Sequence, residues 1–415
     1  MSPSPLTSKP AFILTLGFLT TTAALTVDLS LPAIPAMASA LLTDLPTAQK
    51  IVGIFMLGMA LGQIPAGLFS DRLGRLPVLY VGMSVFTLAA TLASFAQSIE
   101  VMLAARFVQG IGAAAAVVLS RAIVRDIASG KEGVRLMSLM AMLFTAAPVI
   151  APSLGALLMH WFDWRSTFTG IVVAGILLLL AIRVNLVETH TPERQGHPAR
   201  QLLDSVRTFF SFRRSIFGLL LIVTPPIGFM SVITVSAALI IEEYGLSARD
   251  YGFVFATAGL SIMLGSWLNR QFVSRFEVGT LIGIGASLMF AASISLLVIC
   301  VLNAAPLWWF WGSLCVYFVA VGILAPNATV IALDPLPKVA GVASSIIGSI
   351  QNALGAFGAI LGAALYDGSL RNAGITVAAT GVITFAIFLL RPLIAPTPSC
   401  AHPPETLRDR NPPVR

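Results

Sequence analysis

The chain has 415 residues, of which 10% are charged and 57% hydrophobic, with a mean hydropathy of +0.91 and a formal net charge of +7. Soluble domains carry about 25% charged residues, so a water-soluble globular protein is excluded. The basic residues sit in short segments between long apolar runs, which argues against nucleic acid as a partner. Three cysteines, Cys300, Cys315 and Cys400, supply neither a disulfide framework nor a metal-ligand spacing, so no metal or cofactor is expected.

In chain order, the first apolar run follows Lys9 and continues past Val27 to a stretch of small residues, Ala36 to Ala40. It is too long for the hydrophobic region of a signal peptide and is interrupted by Asp28, Pro32 and Pro35. It is expected to stay as a first span. Runs of roughly 20 residues, each long enough to cross a ~30 Å hydrocarbon core, predict spans at 11–33, 49–69, 76–96, 99–121, 134–159 and 165–187. After a polar gap come 215–241, 250–270, 279–300, 307–333, 341–366 and 372–395. Lipid leaves backbone groups no water to bond to, so such runs must be helices or strands of a closed barrel. They are too long and too uniformly apolar for strands. The expected fold class is an all-α membrane protein of about 12 transmembrane helices.

The longest polar interruption, Glu188–Arg214, divides the spans six and six. With both termini and this segment cytoplasmic, 20 of the 25 Lys and Arg residues lie inside, the exceptions being Lys50, Arg106, Arg165, Arg249 and Arg371. The positive-inside rule therefore orients the chain as a multi-pass protein of the bacterial inner membrane. The organisation read from this is a six-helix half at 1–187, a cytoplasmic central loop at 188–214, a second half at 215–395 and a disordered cytoplasmic tail at 396–415. Gly67, Arg72 and Arg75 before the third span are echoed by Gly265, Arg270 and Arg275 before the ninth, with Asn269 where Asp71 would fall. The echo at the equivalent loop supports two repeats.

The segment Gly67-Leu-Phe-Ser-Asp71-Arg72-Leu-Gly74-Arg75-Leu-Pro77 is the most specific feature. Asp71 there could accept backbone N–H groups at a helix start, Gly74 would permit a tight turn, and either arginine could pair with an acid on a neighbouring helix end. Read alone, its lesser alternative is a turn carrying positive-inside charges. It is joined by Arg106-Phe-Val-Gln109-Gly110-Ile-Gly112 and Arg125-Asp126 in the fourth span, and by Ala147-Pro148-Val-Ile-Ala-Pro152-Ser-Leu-Gly155 in the fifth. Val27-Asp28-Leu-Ser-Leu-Pro32-Ala-Ile-Pro35 ends the first span, and Trp161-Phe-Asp163-Trp164-Arg165 links the fifth to the sixth. Together these motifs resemble the major facilitator superfamily, in particular its bicyclomycin and chloramphenicol/florfenicol resistance (Bcr/CflA-type) drug:proton antiporters. The match is dense over 27–168; the second half matches in span count and loop position.

That resemblance implies two six-helix halves rocking about a central cavity and exchanging an inward proton for an outward drug-like molecule. It also implies a cytoplasmic gating loop of Gly67, Asp71, Arg72, Gly74 and Arg75 with Asp126 as ionic partner, and an antiporter motif of Pro148, Pro152 and Gly155. Ala151 and Ala156 stand where that family more often has glycine.

An ionisable side chain at mid-helix costs roughly 3 kcal/mol on translocon scales, which singles out Asp28 and Arg106. Each lies on the order of 10 Å from the periplasmic end of its span at 1.5 Å per residue, so with Gln109 they are expected at one cavity. One reading is a protonatable carboxyl whose charge is disfavoured by burial and favoured by the guanidinium. The other is a static ion pair. Asn327, Gln351 and Asn352 are candidate substrate contacts or interhelical hydrogen bonds, and Phe253, Phe255, Trp267 and Phe357 line a cavity or face lipid. Trp308, Trp309 and Trp311 read as an interfacial belt. Four histidines scattered in loops and tail do not build a membrane enzyme. The expected function is proton-coupled export of small amphipathic compounds by a monomer, with membrane lipid as its surroundings. Export of a metabolite such as an amino acid or siderophore, or uncoupled facilitation, are the alternatives.

Overall fold

The computed structural model describes residues 10–128, 130–190, 198–302, 306–336 and 340–394. Among them are 12 helices long and apolar enough to cross a membrane. In the first half these are α1 Pro10–Ala40, α2 Leu45–Leu73, α3 Arg75–Ser94, α4 Ile99–Ile127, α5 Arg135–Trp161 and α6 Arg165–Asn185. In the second they are α7 Arg213–Glu243, α8 Arg249–Phe272, α9 Val278–Cys300, α10 Leu307–Leu333, α11 Val342–Leu365 and α12 Leu370–Leu389. Several run past the apolar stretch that defines them, because backbone hydrogen bonding continues into polar sequence where a cap receives the end. Asp44 caps α2 by accepting the Thr47 N–H at 2.6 Å, and Ser98 occupies the same position before α4. Pro32 lies in a 3-10 turn, Leu31–Ala33, that interrupts α1 without ending the span.

Two expectations are corrected. The segment around Gly74 is not an extended loop: α2 continues through Leu73, Gly74 alone stands outside a helix at φ +96°, and α3 begins at Arg75. Asp71 is therefore in the last turn of α2 and not at a helix start. The central segment is also not all loop, since it contains a 14-residue helix, Pro198–Ser211. Its Phe209 is fully buried, and the helix packs on α11. The expected tail at 396–415 lies outside the described residues.

The pairings of the first six spans recur in the last six. Helix α1 packs on α4, α5 and α6, α2 on α4, and α3 on α4 and α6; correspondingly α7 packs on α10, α11 and α12, α8 on α10, and α9 on α10 and α12. The halves meet along two seams, α2 with α11 and α5 with α8, and a two-fold relation between the halves exchanges one seam for the other. Close approach depends on glycine. A Cβ on Gly58 would lie 2.1 Å from the Phe107 carbonyl, and one on Gly110 would lie 2.1 Å from the Phe55 carbonyl. The second half repeats this reciprocal contact between Gly265 and Gly322 on α8 and α10. Gly358 and Gly362 admit the backbone of α7 at Ile227 and Ser231. Without a hydrophobic driving force between helices in lipid, such small-residue contacts carry much of the packing.

We expect Gly58→Leu to abolish recovery of monodisperse protein in detergent, whereas Gly312→Leu, on α10 with open space around it, is recovered at near wild-type yield. Size-exclusion profiles of the two variants provide the check.

Candidate functional site

Two centres carry charge in the first half. One lies at the α2–α3 end of the bundle. Arg75, the first residue of α3, is nearly buried, and its guanidinium is fully engaged. Nε donates to Asp126 Oδ2 at 2.9 Å and Nη2 to Asp126 Oδ1 at 3.4 Å, while Nη1 donates to the Ser70 hydroxyl at 2.8 Å and to the Asp71 carboxylate. The fork on Asp126 ties α3 to the end of α4, a bidentate geometry that only arginine provides. Gly74 makes the approach possible. Its positive φ suits glycine, and a Cβ would lie 2.7 Å from the Glu188 carboxylate.

Glu188, just after α6, is the residue that sequence reasoning missed. Its Oε1 accepts the Arg75 N–H and its Oε2 the Leu76 N–H, both at 2.9 Å, so it caps α3 from 112 residues away or more. It also accepts the N–H groups of Thr189 and His190 at 3.1 Å. Burial opposes its charge, but these four N–H groups outweigh burial and hold its carboxyl below the usual carboxylate range. Thr189 donates to Asp126 Oδ2 at 3.2 Å, and a His190 ring nitrogen lies 3.1 Å from the Asp71 carbonyl oxygen. No local pattern marks this cap, because donor and acceptor are brought together only by folding. Gly67, Asp71, Arg75, Arg125 and Asp126 border a pocket of ≈ 260 Å³ whose opposite wall is Val342 and Ser345 of the second half. Arg72 is exposed in the last turn of α2.

The other centre is deep in the bundle. Asp28 on α1 is buried, and among the described residues no hydrogen bond or ion pair satisfies it. One residue on, the Leu29 carbonyl oxygen is where a Cβ on Gly155 of α5 would fall, at 2.3 Å. From the second half, α7 and α8 pack against the Leu31–Ala33 turn just beyond Asp28, and the Tyr251 phenol of α8 hydrogen-bonds the Ser236 hydroxyl of α7 at 3.0 Å. Asp28 thus sits where α1, α5 and the second half converge.

Arg106 is not paired with it. The fully buried guanidinium donates through Nε to the Ile51 carbonyl at 3.4 Å and through Nη1 to Gln109 Oε1 at 2.9 Å. It lies 4.6 Å from the Phe55 ring centroid and 5.7 Å from that of Phe168. Aromatic faces and a carbonyl, not a carboxylate of α1, surround the cation. Arg106 Nη2 and Gln109 Nε2 remain buried donors without a partner.

On α5, Pro148 and Pro152 lie inside a continuous helix. Pro148 and Val149 face Gly259 of α8, and Ser153 faces Gly252, so this motif forms the α5–α8 seam as well as the contact with α1. Asn327 is occupied structurally, its Nδ2 donating to Asn269 Oδ1 at 2.6 Å and to the Ile323 carbonyl at 2.7 Å. Asn352 donates to the Gly348 carbonyl at 2.9 Å, and Gln351 is half-buried on α11. Phe253, Trp267 and Phe357 are exposed, and Phe255 is buried between Tyr251 and Trp311. Trp311 is not an interfacial anchor: its indole N–H reaches the Val254 carbonyl at 2.9 Å inside the α8–α10 contact, while Trp308 is exposed. Among the described residues no group of three or more His, Cys, Asp or Glu is placed to hold a metal ion.

Residues 16–359 match the family model described as Major Facilitator Superfamily. The chain is 30% identical over 347 residues to a bicyclomycin resistance protein homolog of Haemophilus influenzae, covering 83% of this chain and 87% of that protein. It is 29% identical over 334 residues to multidrug resistance protein D of Escherichia coli, covering 78% of this chain and 80% of that protein. Among solved structures, that of a D-xylose-proton symporter superposes with a TM-score of 0.75 at 16% identity over 91% of this chain and 96% of the other. At that identity the likeness is one of fold.

Removing Arg75 leaves two carboxylates facing each other, whereas removing Glu188 only uncaps a helix. Arg75→Ala is therefore expected to cost on the order of 3 kcal/mol and Glu188→Ala about 1 kcal/mol. Thermal unfolding in detergent measures both, and an unchanged midpoint for Glu188→Ala would remove its capping role.

Proposed function

The chain belongs to the major facilitator superfamily, as a multi-pass membrane transporter and not an enzyme, and we propose that it is a proton-coupled exporter of small amphipathic, drug-like compounds. It acts at the bacterial inner membrane as a monomer, with both termini and the central segment cytoplasmic, and uses the proton as its only coupling agent. The relatives named for resistance to bicyclomycin and to multiple drugs support a drug-like cargo. The observation that carries coupling is Asp28, a buried acid with no hydrogen bond among the described residues, at the convergence of both halves.

A charge at this depth costs about 3 kcal/mol. Binding a proton removes that cost, which is enough to change the balance between two arrangements about a hundredfold. In this scheme Asp28 takes a proton from the periplasm, the neutral side chain permits the halves to reseal, and the proton leaves toward the cytoplasm as cargo enters. Arg106 and Gln109 hold α2, α4 and α6 in register. The Arg75–Asp126–Glu188 cluster, with α11 across its pocket, is the part of the cytoplasmic end that must rearrange when the halves rock. Pro148, Pro152 and Gly155 lie on the seam that slides, and Gln351 and Asn352 on the opposite seam are available to cargo. Asn327 serves the α8–α10 contact.

Expression in an efflux-deficient host should raise resistance to at least one compound in a panel that includes bicyclomycin, and an uncoupler should abolish that protection. Asp28→Asn keeps the shape but cannot carry a proton. It should reach wild-type levels in the membrane and give no protection. A panel with no protected compound would overturn the cargo; uncoupler-sensitive protection by Asp28→Asn would overturn the role of Asp28.

A further inference from the structure

The second half carries the altered copy of the gating segment, and the alteration leaves arginines unspent. In the first half Arg75 is consumed by Asp71 and Asp126. In the second, Asn269 stands in place of the acid and its Oδ1 is taken by Asn327. Arg270, in the last turn of α8, and Arg275, in the turn before α9, are both exposed, and neither forms an ion pair among the described residues. A third guanidinium, Arg391, packs against Gly279 at the start of α9, 2.6 Å from where a Cβ would be. Glu277 supplies a carboxylate between Arg275 and α9.

Between α8, α9 and α10 is a groove of ≈ 400 Å³, and Arg270 and Arg275 are the chain neighbours of two residues that line it, Asn269 and Phe276. Leu268, Phe272 and Phe276 form one wall, Ile284 and Leu288 the second, and Val319 the third. Phe272, Phe276 and Ile284 are exposed, so the groove opens sideways on the outer face of the bundle. Asn269 is its polar exception, and its oxygen is already bonded. A polar metabolite would find almost nothing to hydrogen-bond, whereas a hydrocarbon chain would lose no solvation there. Apolar walls next to two exposed arginines match one molecule that surrounds any membrane protein.

We propose that this groove is a binding site for an anionic phospholipid of the leaflet on the α2–α3 side, with an acyl chain between α8, α9 and α10 and the phosphate held by Arg270 and Arg275. Arg391 adds positive potential from the other side of α9, and Glu277 restricts the site to headgroups small enough to avoid it. The site is independent of which cargo the protein exports. A lipid held there braces α8 against α9 and α10, and α8 forms one side of the α5–α8 seam, so occupancy is coupled to the packing that rocking must disturb.

The test uses the purified full chain, delipidated in detergent and titrated with dioleoyl phosphatidylglycerol or dioleoyl phosphatidylcholine, with bound lipid counted by native mass spectrometry. The wild type is expected to retain one phosphatidylglycerol at least tenfold more strongly than phosphatidylcholine. Each arginine near an anionic headgroup is worth about a kcal/mol, so the double variant Arg270→Gln, Arg275→Gln should lose that preference, about thirtyfold in affinity for phosphatidylglycerol. Ile284→Trp fills the groove from its exposed side and should eliminate retention of both lipids. Its lipid-free unfolding temperature serves as the control for folding, and Val319→Phe is the second filling variant should that control fail. Equal retention of the two lipids by the wild type, or preference for phosphatidylglycerol that survives the double arginine variant, or retention that survives the filled groove, would each overturn the site.

Discussion

A bilayer offers the chain no hydrogen-bond partner, and this constraint organises the whole molecule. Every backbone group in the hydrocarbon must be satisfied within its own segment, which makes the spans helices and pushes irregular backbone to their ends. It also leaves helices little reason to associate except close contact. The reciprocal glycine pairs Gly58–Gly110 and Gly265–Gly322 supply that contact within each half. The same constraint makes a polar side chain inside the bundle conspicuous. Arg106 is solvated by a carbonyl, an amide and two aromatic rings, while Asp28 has no hydrogen bond among the described residues.

The two halves communicate through few elements. The seams α2–α11 and α5–α8 are related by the repeat, so a rocking motion that loosens one end of the first does the same to the second. Asp28 lies next to the α5–α8 seam, through the approach of Gly155 to Leu29 and the packing of the Leu31–Ala33 turn on α8. The Arg75 cluster lies at the α2 end of the other, with α11 across its pocket. In the proposed scheme a proton at one position and a charge cluster at the other act on the same rigid-body motion without touching. The Glu188 cap adds the segment after α6 to this cluster, so the connection between the halves begins at the α2–α3 junction.

The spans were legible because an apolar run of about 20 residues has few other solutions, and Arg75 with Asp126 was legible because both belong to short, distinctive motifs. What the sequence concealed were relations set by tertiary approach. Asp71 looked like a helix-start acceptor because glycine follows closely, but α2 carries on through Leu73 and gives the cap to Glu188. Asp28 and Arg106 share a depth, yet depth along a helix does not say which way a side chain points, and Arg106 turns to α2 and α6. Trp311 has the neighbours of an interfacial tryptophan and the position of a core one. The helix Pro198–Ser211 was read as loop because its sequence is polar, although Phe209 anchors it on the bundle.

The central claim is that cargo and proton exclude each other through Asp28, and it is tested most directly by counting protons. Purified protein in weakly buffered detergent is mixed with a compound against which the wild type protects cells, and the pH change on binding is followed with an indicator dye. The account predicts that the wild type releases a proton as the compound binds and that Asp28→Asn binds the compound without release. Equal proton release by wild type and Asp28→Asn, or binding by the wild type with no release at any pH at which it transports, would contradict it.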